Sequence, residues 1–167
     1  MNRACLRSVL KDVMHPFAME INGLPLHALV VHAAVVFGPI AALAGILYAA
    51  VPPWRDRLRW PLVVLAAIAV SAIWVAYLSG EDLTEANEYG GPLHELVETH
   101  EHRAEKLRLI TTAFALTAWV TAWWHTRRGP VGVVLAVLLA VASVATGVWV
   151  VLTGDAGAQI AWYGTNG

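Results

Sequence analysis

Four stretches of this chain contain no Asp, Glu, Lys or Arg: Leu24–Val51, Trp60–Gly80, Leu109–Thr126 and Gly129–Gly154. They run to 28, 21, 18 and 26 residues, and all 23 charged side chains lie outside them. A helix on the surface of a soluble domain needs a polar face, which these segments lack. About 20 apolar residues carry a helix across the hydrocarbon core of a bilayer. Only 14% of the chain is charged, against roughly 25% in soluble domains. The pattern predicts an all-α protein, an integral membrane antiparallel four-helix bundle, with the lipid bilayer as its first partner. It excludes a soluble globular domain, a nucleic-acid binder and a disulfide-stapled module. A net charge of −1 gives no reason to expect a polyanionic partner. The single cysteine, Cys5, rules out an intramolecular disulfide and a CxxC-type metal centre.

Residues 1–20 read as a tail or a short interfacial amphipathic helix. Arg3, Arg7 and Lys11 share one helical face, and Leu6, Val9, Leu10 and Val13 the other. The same bases interrupt any signal-peptide core. Met14 and Met19 are alternative starts, which would make this tail an extension. One membrane domain is expected over 21–163, with spans at about 24–50, 61–80, 103–126 and 131–153, and a polar tail over 154–167. Pro39 interrupts the first span, and Pro61 suits the first turn of the second. The short loop 52–60 carries Arg55, Arg57 and Arg59, and the longest loop, 81–99, is acidic. Small residues at helical spacing predict close helix contacts in lipid: Ala34, Gly38, Ala41 and Gly45; Ala69, Ala72, Ala76 and Gly80; Ala136, Ala140, Ser143 and Gly147.

The expected location is a bacterial inner membrane, crossed several times. The two compact loops hold five bases; the opposite side holds six, or three if the chain starts at Met19. With that start, the excess of bases places the compact loops in the cytoplasm, with both termini outside.

Alternate helix ends of such a bundle share one side of the membrane. The start of the first span, the end of the second, the start of the third and the end of the fourth hold His27 and His32, Glu81, His100 and Asp155. His32 lies roughly 12 Å into the first span at 1.5 Å per residue. A polar ring at that depth is costly unless it faces a partner. His27 is offset from it by about 140° around the helix, so the two rings flank a shared centre or make separate contacts. Imidazole and carboxylate donors suit zinc, iron, manganese or copper rather than a thiolate centre. Two imidazoles from opposing helices, His32 or His27 with His100, suit a b-type haem.

The expected site therefore has His27, His32 and His100 as ligands of haem b or of a divalent transition metal. Glu81 and Asp155 would support them or complete a metal's ligand set. The plainer readings are hydrogen-bonding histidines that bridge helices, a helix-end charge at Glu81 and a turn-forming Asp155. His94 and His102 read as solvated, and Glu98, Glu101 and Glu105 as a wet helical face. No nucleophile motif, P-loop or dinucleotide fingerprint is present, so no catalytic residue is assigned and enzymatic activity stays open.

Asn22-Gly23-Leu24-Pro25-Leu26-His27-Ala28-Leu29-Val30-Val31-His32 resembles the opening of a family of bacterial, often actinobacterial, four-helix predicted membrane proteins catalogued as a domain of unknown function. The resemblance continues at Ser79-Gly80-Glu81-Asp82-Leu83, at Leu96-Val97-Glu98-Thr99-His100-Glu101, and at Thr153-Gly154-Asp155-Ala156-Gly157-Ala158 followed by Trp162. It covers about Ile21 to Tyr163. Many members carry His where Asp155 stands here, which implies an altered ligand set in this copy. Fusion of some members to Rieske-type iron–sulfur domains implies a redox setting, with other membrane redox proteins as partners. Three functions are open to the sequence: an electron-transfer accessory protein holding haem or metal, a cofactor-free assembly subunit, and a proton or metal transporter. The third is weakest, because the second and fourth spans look nearly bare of polar residues.

Overall fold

The structure is a computed structural model that describes residues 20–21, 24–87, 89–126 and 129–163. The interfacial helix expected within 1–20 falls on residues outside this set, apart from Glu20. Two-residue strands β1 (Glu20–Ile21) and β2 (Leu24–Pro25) pair antiparallel just ahead of the first helix. Four long helices follow: α1 (Leu26–Ala50), α2 (Arg55–Glu85), α3 (Pro92–Trp123) and α4 (Pro130–Ala161). α1 and α3 each pack against both α2 and α4, which closes an antiparallel bundle.

The connections are short and chemically defined. α3 and α4 both begin at a Gly-Pro step: Gly91 has φ +60° and Gly129 has φ +91°. Those angles disfavour a side chain, and the proline that follows supplies a preset first helical residue. Between α1 and α2 the chain makes a single 3-10 turn, Pro52–Trp54. Arg55 then reaches back, donating from Nε to the Tyr48 carbonyl at 3.1 Å and from Nη2 to the Ala49 carbonyl at 3.0 Å. It thereby satisfies backbone oxygens that the end of α1 leaves free. The expected loop 52–60 is thus largely helix, and Pro61 sits in the second turn of α2 rather than its first.

The interior is built from small side chains. Ala41, Ala44, Ala66, Ala69 and Ala118 surround Tyr48, Leu62, Phe114 and Leu139. The small-residue rows expected on α1 and α2 face inward; on α4 the buried row is instead Leu139, Ser143, Thr146, Val150, Thr153 and Ala156. Outward faces are large and apolar, with Leu43, Leu116 and Val151 at 56%, 58% and 66% exposed. Such a surface belongs in lipid. α1, the Pro52–Glu85 segment and α4 are each long and apolar enough to cross a membrane. α3 falls short by composition, because its charge-free part ends at Trp123 and its first half is charged. That half continues the bundle past the apolar layer. α4 likewise runs on through residues 154–161, where a polar tail was expected.

Candidate functional site

His27 lies in the first turn of α1, where Ala34 and Gly38 farther along the same stripe already face inward. Its Nδ1–H donates to the Ala76 carbonyl of α2 at 2.8 Å. His100 lies in the third turn of α3, and its Nδ1–H donates to the Thr153 carbonyl of α4 at 3.1 Å. A carbonyl only accepts, so both bonds fix the proton on Nδ1. In the neutral form, a ring with its proton on Nδ1 keeps an unprotonated Nε2. The ring centroids are 6.4 Å apart and the planes perpendicular. Two helices that are not neighbours in the bundle thus present imidazoles to each other, each oriented from behind by a third party's backbone.

Glycines make room for the rings. A Cβ at Gly80 would come within 3.1 Å of His27 Cε1, and one at Gly157 within 3.1 Å of His100 Cε1. Around the pair is a cavity of about 900 Å³ with mainly apolar walls from Ala34, Ile73, Ala76, Leu107 and Val150. The Thr153 hydroxyl also belongs to it, buried and with no hydrogen-bond partner. Glu81, Glu98, Glu101, Glu105 and His102 line the cavity from exposed positions, as a wet rim. There the Tyr77 hydroxyl donates to Glu81 Oε1, and the Arg108 guanidinium stacks 4.1 Å from the Tyr77 ring centroid and 5.0 Å from that of Trp74. Burial, and then the neighbouring His27, hold the His100 pKa below the ordinary histidine range. His100 is therefore neutral at pH 7, the form that ligates.

Of the five residues expected in the site, the structure brings together His27 and His100, while Glu81 stands apart from them on the exposed rim of the same cavity. His32 does not join them. Its ring is exposed, and its Nδ1–H donates to the Ala28 carbonyl of its own helix at 2.7 Å. The 140° offset from His27 is the cause: one stripe of α1 faces inward, and His27 has it. Asp155 does not join either. Because α4 stays helical, Thr153, Ala156 and Gly157 face the bundle and Asp155 turns outward. There it lies 3.8 Å from Arg103 and accepts from Gln159 Nε2 at 2.9 Å. Among the described residues, no three or more His, Cys, Asp or Glu side chains are placed to hold a metal ion. The expected bare-metal ligand set is therefore not assembled, whereas the pair of imidazoles is.

Gly157 and the Thr153 hydroxyl were not singled out from the sequence. Gly154-Asp155-Ala156-Gly157 reads as a turn. Continuing the helical register past Thr153 is the signal that would have placed Gly157 beside Thr153 on the inner face.

A family model described as a predicted membrane protein, DUF2231, matches residues 23–166. The chain belongs to this family. No curated protein and no solved structure matches it. The matched region of this DUF2231 protein includes both inward histidines, both glycines beside them and all four helices.

Proposed function

We propose that this DUF2231 protein is a membrane electron-transfer accessory that holds a b-type haem between His27 and His100. The observation that supports the reading is the pair of facing imidazoles, each with Nδ1–H tied to a backbone carbonyl and Nε2 left free. Metal-ligating histidines characteristically donate their other N–H in this way, which fixes tautomer and orientation. A metal–nitrogen bond is about 2.0 Å, so centroids 6.4 Å apart leave room for one atom between two ligating rings. Two facing imidazoles match the two protein ligands a haem takes better than the four a structural zinc site takes. When bound, the group supplies a one-electron iron couple at the membrane boundary. The chain's part is to orient the two rings, to keep His100 neutral, and to surround the centre with Ile73, Leu107 and Val150 so that water is excluded. On this reading all four helices cross the membrane and the cavity opens on the outer side, with the arginine-bearing turns in the cytoplasm of a bacterium. Its acidic rim suits a basic redox partner.

The test is a haem titration of protein purified in mild detergent, followed by absorbance from 350 to 650 nm. One equivalent of haem should give a sharp Soret band and, on reduction, resolved α and β bands. His27→Ala or His100→Ala should abolish the resolved α and β bands while haem is still taken up, and His32→Ala should leave them intact. A folded protein that takes up no haem, or that loses it only on His32→Ala, contradicts the proposal.

A further inference from the structure

At the opposite end of the bundle, α1 and α4 part to leave a second cavity of about 740 Å³. It has two zones. The inner walls are small and apolar, from Ala49 and Ala50 of α1 and from Gly132, Ala136 and Ala140 of α4. The outer end is polar, formed by Arg55, Asp56 and His125. Arg55 gives two of its five N–H donors to the carbonyls of Tyr48 and Ala49, which pins the guanidinium at the mouth with three donors uncommitted. His125 Nδ1 is buried without a hydrogen-bond partner among the described residues. Asp56 sits at the rim: its side chain is 89% exposed and its carboxylate is 3.7 Å from His125 Nε2.

The dimensions suggest the occupant. From Gly129 to Ala140 the groove follows α4 for about 16 Å at 1.5 Å per residue, roughly half of a ~30 Å hydrocarbon core. That is the depth of one leaflet. Its flank is lipid-facing, with Val133 and Val137 at 63% and 56% exposed. Trp54, Trp123 and Trp124 are exposed beside Arg55 and His125 in the chain, and such residues mark the headgroup level. Among the described residues, the start of α2 at this end carries Arg55, Arg57 and Arg59 against the single acid Asp56. An arginine held at the mouth of an apolar groove between membrane helices suits an anionic headgroup.

We propose that this groove binds an anionic phospholipid, with its phosphate on Arg55 and one acyl chain between α1 and α4. The site is separate from the histidine cavity and does not depend on its occupant. A free phosphate would use the mouth and leave the apolar walls unfilled; a lipid fills both.

The test is thermal unfolding and native mass spectrometry of delipidated protein with phosphatidylglycerol, phosphatidylcholine or inorganic phosphate. Phosphatidylglycerol should bind at least tenfold more tightly than phosphatidylcholine and raise Tm more at equal mole fraction, since a ligand of the folded state stabilises it by mass action. Millimolar inorganic phosphate should change nothing. Arg55→Gln should erase the preference. Because Arg55 also caps α1, Ala136→Phe serves as the second variant: it blocks the groove, leaves the mouth intact and should abolish tight binding of phosphatidylglycerol with helix content preserved. Equal binding of the two lipids, a preference that survives both variants, an equal shift with inorganic phosphate, or a lipid-independent dimer through this groove would overturn the proposal.

Discussion

An imidazole with Nδ1–H held by a backbone carbonyl has one nitrogen left to offer, and its direction is fixed. At His27 and His100 that geometry depends on missing side chains as much as on present ones. Gly157→Ala would place a methyl about 3.1 Å from His100 Cε1, tighter than a packed ring tolerates without shifting. Haem affinity should fall about tenfold, the lower end for disturbing a ligand's orientation, with helix content unchanged in circular dichroism. An unaltered affinity would mean that the ring does not need this position. The lowered pKa of His100 has a sign for stability as well. The unfolded chain binds the proton more readily than the folded one, so the contribution is unfavourable as pH falls from the ordinary range near 6.5 toward the folded value. The cofactor-free protein should lose Tm on going from pH 7 to pH 5, and His100→Gln should lose less. A variant that falls as steeply as the wild type contradicts this. His27 was legible as inward because it shares a stripe with Ala34 and Gly38. Which of the two histidines of α1 faced His100 was not, since side-chain spacing gives relative angles and only packing gives the absolute one.

Among elements, α4 holds the most informative departures. Its buried row includes Ser143, Thr146 and Thr153, so the fourth helix is not bare of polar groups. Hydroxyls hide well in a sequence scan because a threonine facing lipid and one facing the core look alike. Thr112 and Thr117 donate to carbonyls of their own helix, whereas Thr146, fully buried, has no hydrogen-bond partner. Leaving a buried hydroxyl unpaired costs about 1–3 kcal/mol, so Thr146→Val should raise stability by about 1 kcal/mol, read as a higher Tm. A loss of stability would show that the hydroxyl has a partner. The contact between α1 and α4 at Gly45 is the opposite case, where no space remains. A Cβ at Gly45 would collide with Ser143 Oγ and meet Phe114 Cε2 at 3.0 Å. Gly45→Ala should destabilise by about 1–3 kcal/mol, the usual cost of overpacking, and Gly45→Ala with Ser143→Ala should recover part of it. No recovery would place the strain elsewhere. Small residues on α1 and α2 marked the interface correctly because those helices bury their alanines. On α4, Ala136, Ala140 and Gly147 are half-buried, and the larger Leu139 and Val150 fill the centre.

At the scale of the molecule, the charge-free segments and antiparallel connectivity were enough to bring one end of each helix to a common face. They were not enough to show that α2 continues to Glu85 and α4 to Ala161, because polar residues past the apolar layer resemble loops. Those extensions contribute Leu83, Gly157 and Ile160 to the lining of the histidine cavity. Counted from Met19, the two compact connections hold five bases by sequence, Arg55, Arg57, Arg59, Arg127 and Arg128, against three on the other side, Arg103, Lys106 and Arg108. The positive-inside rule then predicts an extracytoplasmic C-terminus. A C-terminal alkaline phosphatase fusion should be active and a fluorescent-protein fusion dark; the reverse pattern would invert the orientation. The central claim is that one group is shared by two imidazoles across the bundle, and electron paramagnetic resonance of the oxidised, haem-loaded protein tests it most directly. The account predicts a low-spin ferric signal that converts to high spin in either His27→Ala or His100→Ala. A high-spin signal in the wild-type protein, or a low-spin signal that survives both substitutions, would contradict it.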